Sequence, residues 1–294
     1  MIWCSGWRLA SAVSNAGGLG LLGSGSMYPD VLREHIQKCK AATQKPFGVN
    51  VPLLYKDIDK HMQIIIDEKV PVVFTSAGNP KTWTSILKKE GITVVHVCSS
   101  AKFAVKSEEA GVDAVVAEGF EAGGHNGREE TTTLCLIPLV KEKISIPLIA
   151  AGGIASGKSM LACFALGAEG VQIGSRFAAS TESSAHENFK QHIITSAEGD
   201  TQLTLKELVP VRLMKNAFYK QLEEAYQRKA DKGELERILG RARAKKGMFE
   251  GDLAEGELEI GQVAAGIRSI KPAGEIVHEI WNEFLHCKKD AVNW

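Results

Sequence analysis

Three pieces of the chain decide its fold: Pro147-Leu148-Ile149-Ala150-Ala151-Gly152-Gly153-Ile154, a helical stretch over 156–166, and Gly170-Val171-Gln172-Ile173-Gly174-Ser175. Each apolar run is short and ends in a glycine turn, as a strand does when both faces of a parallel sheet are covered. The same unit repeats upstream. Strand-like runs stand at 19–22, 46–51, 70–75, 93–97 and 113–117, with helical patterns near 7–16, 29–42, 57–68, 80–90, 101–110 and 132–143. Strict alternation at this spacing means a parallel α/β architecture, either an open doubly wound sheet or a closed barrel. Seven strands are visible, and the chain opens directly into the helix at 7–16. One more strand ahead of Met1 would give the eight that close a barrel. The expectation is therefore a TIM (β/α)8 barrel whose first strand is largely missing from this chain. A seven-stranded open sheet is the alternative.

After Ser180 the texture changes. Residues 183–250 are charge-rich and read as helical, 247–261 as a glycine- and acid-rich loop, and 262–270 and 273–286 as helices. The expected organisation is a barrel over 1–181 plus 260–294, with a helical subdomain and lid-like loop over 182–259. Hydrophobic residues make up 44% of the 294 and charged residues 24%, enough apolar material for a sizeable core. Lys plus Arg is 35 and Asp plus Glu is 35, so no electrostatic excess points to nucleic acid or a polybasic membrane contact. No apolar run reaches the roughly 18 residues of a membrane span, and the first residues do not read as a signal peptide. The six cysteines lie far apart and never as C-x-x-C, which favours reduced thiols in a cytoplasm over zinc or a disulfide framework.

Glycine placement carries the chemistry. Gly18-Leu19-Gly20-Leu21-Leu22-Gly23 matches a dinucleotide pattern but follows a helix and enters a strand, the reverse of the order that presents a helix amino terminus to pyrophosphate. Gly152-Gly153 and Gly174-Ser175, by contrast, end consecutive strands in the positions where barrels bind phosphate on backbone N–H groups. The loop Glu118-Gly119-Phe120-Glu121-Ala122-Gly123-Gly124-His125-Asn126-Gly127 puts one histidine among four glycines at a strand end. His125 can there accept or donate a proton near neutral pH. Asn50, ending the run Phe47-Gly48-Val49-Asn50, offers an amide to a heterocycle edge or an Asx turn before Pro52. No histidine or cysteine stands at metal-ligand spacing from His125, and no G-x-S-x-G elbow supports a serine hydrolase.

Together with Ser14-Asn15-Ala16-Gly17-Gly18-Leu19-Gly20, Gly174-Ser175-Arg176-Phe177 and Gly261-Gln262-Val263-Ala264-Ala265-Gly266, these segments resemble the nitronate monooxygenase (2-nitropropane dioxygenase) family. That family also contains flavin-dependent enoyl-acyl-carrier-protein reductases. The resemblance implies non-covalent FMN at the carboxyl ends of the strands. By position, Met1 would touch the flavin, and Asn50 and Glu118 would face its ring. Gly123 and Gly124 would approach by backbone, while Gly152, Gly153, Gly174 and Ser175 would hold the phosphate. His125 would be the active-site histidine. The strand and Gly-Gly that relatives carry before Met1 are absent, and Val97 stands where some relatives have lysine.

The activity this implies is oxidation of alkyl nitronates by FMN and O2 to a carbonyl compound and nitrite. The alternative is NAD(P)H-dependent reduction of enoyl thioesters or quinones by the same flavin. A third reading, from the glycine turns alone, is a barrel that binds a phosphorylated sugar or nucleotide without redox chemistry. The expected partners are a small-molecule substrate and O2, with a homodimer left open and no nucleic acid or membrane.

Overall fold

In the computed structural model, which describes residues 1–291, seven parallel strands form one curled sheet in the order β1 (Gly20–Gly23), β2 (Phe47–Pro52), β3 (Val72–Ser76), β4 (Thr93–Cys98), β5 (Ala114–Glu118), β7 (Leu148–Ala151) and β8 (Gly170–Gln172). A second, three-stranded antiparallel sheet joins β6 (Gly124–His125) to β10 (Val211–Met214) and β9 (Thr201–Thr204). Among the described residues β1 and β8 do not pair, so the barrel carries an open seam between them. Three strands begin immediately after a proline (Pro46, Pro71, Pro147), later than the apolar runs suggest, because proline has no N–H for the ladder.

The helices on the outer face are α1 (Trp7–Asn15), α2 (Pro29–Ala42), α3 (Ile58–Asp67), α4 (Thr84–Lys89), α5 (Ala101–Glu109), α6 (Thr133–Lys141) and α7 (Gly157–Ala165). Their apolar stripes meet the outward strand residues in one core that includes Leu22, Val49, Val73, Val94, Val115 and Leu148. The inward residues form a separate cluster around Phe74, Val95, Val116 and Ala151. Period-2 alternation along each strand divides the two.

The remaining helices are α8 (Ser175–Ala178), α9 (Glu187–Ile194), α10 (Ala217–Gln227), α11 (Lys232–Leu239) and α12 (Ala273–Ala291). Helix α12 covers the seam from outside. Ala273, Ile276 and Ile280 pack with Leu9 of α1, Phe177, and Ile173 just beyond β8. It presses on the start of α7 so closely that a methyl on Gly157 would fall 2.1 Å from the Phe284 nitrogen. Glu283 accepts the Gly157 N–H at 2.6 Å, and a Ser156–Ser159 capping box completes that helix start. The turn before α7 is therefore held from both sides.

Two expectations need correction. Residues 183–250 are not uniformly helical: β9 and β10 lie within them, and all four residues of β10 are buried. Their pairing with His125 and with each other outweighs the charge-rich texture around them. The helix expected at 262–270 is only a 3₁₀ turn, Gln262–Gly266. No helix among the described residues is long and apolar enough to cross a membrane, and all six cysteines are unpaired.

Candidate active site

Parallel register puts the strand ends in one ring at the barrel mouth. Gly23 stands beside Asn50, Asn50 beside Phe74, Glu118 beside Ala151, and Ala151 beside Gln172. Met1 lies across the open seam. A methyl on Gly23 would fall 2.5 Å from the Met1 carbonyl oxygen, and one on Gly174 would reach the Met1 sulfur at 3.6 Å.

The turns after β7 and β8 form a cradle. Gly152 and Gly153 have φ of +96° and +68°, the left-handed region that side chains resist. Gly152 also abuts the Gly119 carbonyl, where a methyl would come within 2.8 Å. Among the described residues, the N–H groups of Gly153, Ile154, Gly174 and Ser175 donate to no acceptor. Orphaned donors on two neighbouring turns, the second opening a short helix, suit a phosphate. The residues present thus fit the phosphate end of a flavin nucleotide.

The glycine loop after β5 is tied to this cradle. Glu121 accepts the Thr133 N–H at 2.9 Å and its hydroxyl at 2.9 Å, and the Glu121 side chain lies against Gly153. Ser175 Oγ accepts the Gly261 N–H at 3.0 Å, and the Glu121 carbonyl accepts the Gln262 N–H at 3.0 Å. The segment 257–261 therefore crosses directly over Gly123 and Gly124. A methyl on Gly123 would fall 2.4 Å from the Ile260 carbonyl carbon, and one on Gly124 would fall 2.6 Å from Glu259 Oε2. Gly123 is needed for that close crossing, and Gly124, with φ of +78°, for the left-handed turn beside it.

Asn50 donates its amide to the Phe74 carbonyl at 3.1 Å, and its side-chain oxygen has no donor among the described residues. Glu118 is pushed up to about 7 by burial. His125 is exposed on β6, opposite Val211. It faces a cleft of about 260 Å³ between the mouth and the segments 205–211 and 239–245, shared with Trp3, Glu257 and Glu259. The structure thus gathers Met1, Asn50, Glu118, Gly152, Gly153, Gly174 and Ser175 around the mouth. Gly123, Gly124 and His125 form the rim of the cleft above it.

Three side chains at this site escaped the sequence reading. Arg212, only 2% exposed, donates Nε and Nη2 to the Phe120 carbonyl at 3.1 and 3.0 Å and lies over the Phe120 ring at 4.4 Å. It clamps the loop that carries His125, but in sequence it is one arginine in an apolar run. Glu257 and Glu259 do leave a signal. Glu257-Leu258-Glu259-Ile260 alternates with period 2, so both acids share one face of an extended segment. Burial pushes both carboxyls up to about 7.

A family model described as "Nitronate monooxygenase" matches residues 1–61 and 56–283. The chain is 35% identical to a 5-hydroxy-7a-methyl-1-oxo-octahydro-1H-indene-4-carboxyl-CoA dehydrogenase of Rhodococcus jostii, over 76% of this chain and 64% of that protein's length. It is 34% identical to a probable nitronate monooxygenase of Staphylococcus aureus, over 67% of this chain and 68% of the other. Among solved structures it is similar to FabK from Thermotoga maritima, with 41% identity, a TM-score of 0.94, and coverage of 100% of this chain and 93% of that one. By the family model and these relatives, the chain belongs to the nitronate monooxygenase family.

Proposed function

We propose that this chain is an FMN-dependent oxidoreductase that reduces the carbon–carbon double bond of an enoyl thioester with electrons from NADH or NADPH. The observation that carries the flavin is the pair of strand-end turns with orphaned N–H groups beneath a cleft bearing His125. The thioester reading is supported by the likeness to FabK along the whole chain and by the identity to a dehydrogenase of a carboxyl-CoA compound. Nitronate oxidation is the second reading, favoured by the family description and by the Staphylococcus relative.

Bound FMN would supply two-electron transfer between the nicotinamide and the substrate. The chain would do the rest. The N–H groups of Gly153, Ile154, Gly174 and Ser175 would hold the phosphate. Asn50 at the end of β2 and Glu118 at the end of β5 would face the ring, and Arg212 fixes the loop that presents His125. His125, as the imidazolium, would supply the proton that the substrate α-carbon takes up and be left as neutral imidazole, a proton transfer of the kind worth roughly 10²–10⁴-fold in rate. Trp3 and the segment 239–245 line the cleft with it.

The test is anaerobic. Purified protein loaded with FMN is titrated with NADH, with NADPH and with an alkyl nitronate while flavin absorbance is followed. Bleaching by a nicotinamide and recovery on adding an enoyl thioester support the proposal. Bleaching by the nitronate alone supports the second reading.

A further inference from the structure

Glu257 and Glu259 are not needed to build the loop that carries them. Backbone bonds hold that loop: Glu257 N–H to the Arg243 carbonyl at 3.0 Å, Met214 N–H to the Leu258 carbonyl at 2.9 Å, and Gly261 N–H to Ser175 Oγ at 3.0 Å. Both residues line the cleft with His125. Glu257 is 8% exposed, and neither carboxyl makes a hydrogen bond among the described residues.

The nearby cations are engaged elsewhere. Arg243 donates Nε to the Ile238 and Leu239 carbonyls at 3.0 and 2.9 Å and Nη1 to the Glu255 carbonyl at 2.7 Å, and its guanidinium lies over the Phe218 ring. Lys245 pairs with Glu250 at 2.8 Å. Glu257 is left with His125, the like charge of Glu259, and the already occupied Arg243. Two largely buried carboxyls lining one cleft resist ionising together, and neither welcomes a third negative charge. An anion brought to His125 would have to enter that field, whereas an uncharged substrate would not.

We propose that Glu257 and Glu259 are specificity-determining residues that make the His125 cleft select uncharged substrates and exclude their anionic counterparts. This rests on the proposed thioester reduction, since the reacting thioester group is neutral where a nitronate is anionic, but its test needs no turnover. FMN-loaded protein at pH 8 and low salt is titrated with hexanamide and with hexanoate, probes of similar shape and different charge, and binding is read calorimetrically. The wild type is expected to bind hexanamide at least about tenfold more tightly, as one like charge held near a partly dehydrated site suffices to produce. In Glu257→Gln/Glu259→Gln the ratio should fall to about threefold or less through tighter hexanoate binding, with hexanamide little changed. Each single variant should fall between, which keeps the test available if the double variant does not fold. A wild type without preference, or variants that keep the full preference, would overturn the inference. A protein that shows the preference but is not reduced by either nicotinamide would retain the filter and lose the thioester reading, so the two failures are distinct.

Discussion

Gly174→Asp isolates the phosphate cradle from the fold. The residue has φ of −104° and ψ of −69°, so a side chain is conformationally allowed there. A methyl at this position meets only the Met1 side chain, at 3.6 Å, an ordinary contact. The apo protein should therefore fold and melt as the wild type does. A phosphate on the Gly174 and Ser175 N–H groups would stand about 5 Å from the new carboxylate. Between the dielectric limits of protein surface and bulk water, at an effective value of about 40, a unit charge against a dianion then costs about 3 kcal/mol. That is about a hundredfold or somewhat more in Kd. The assay is FMN titration beside a thermal melt of the apo protein, with Gly174→Ala as control. The alanine variant should stay within about fivefold of wild-type affinity. An aspartate variant that melts normally and binds FMN within about threefold of wild type would show that the phosphate lies elsewhere. Gly153→Asp is a poorer probe, because φ of +68° would add backbone strain to the electrostatic loss.

His125→Asn keeps the backbone pairing with Val211. It should lower turnover by roughly 10²–10⁴-fold with flavin content unchanged; equal loss of flavin and activity would point to a structural role. Arg212→Met leaves the Phe120 carbonyl without its donors. It should cost about 2–3 kcal/mol in a denaturant titration, with weaker FMN binding as the loop over the cradle loosens. A variant as stable as wild type would remove Arg212 as the clamp. For Glu118, held near pH 7 against an ordinary 4.5, the folded protein keeps a proton that the unfolded chain releases. Its contribution to apo stability therefore falls as pH rises from 4.5 to about 7. The melting temperature of Glu118→Gln should gain on wild type across that window, and a constant difference from pH 4.5 to 8 would contradict the assignment.

The barrel was legible because its cause is periodic. Apolar runs closed by Gly152-Gly153 and by Gly174 say strand, turn and helix without any long-range knowledge, and β7 and β8 lie within one residue of where those runs place them. The cradle glycines and His125 were legible for the same local reason. What the sequence hides is pairing between distant segments. Residues 211–214 become a strand because Thr201–Thr204 pairs along one edge and Gly124-His125, some 86 positions earlier, along the other. Arg212 becomes a clamp only because that strand lies over Phe120. Gly123 and Gly124 suit a backbone shaped around a ligand, and the structure adds a second reason for Gly123: the backbone of Ile260 and Gly261 crosses within contact distance.

The most direct test of the thioester reading is single-turnover reduction under strict exclusion of O2. Protein with one FMN bound per chain is reduced by one equivalent of NADH or NADPH and then mixed with an enoyl thioester. The expected result is return of the oxidised flavin spectrum with one saturated thioester formed per flavin, much faster in wild type than in His125→Asn. A flavin that the nicotinamides leave oxidised but a nitronate reduces, or a reduced flavin that the thioester cannot reoxidise, would contradict it.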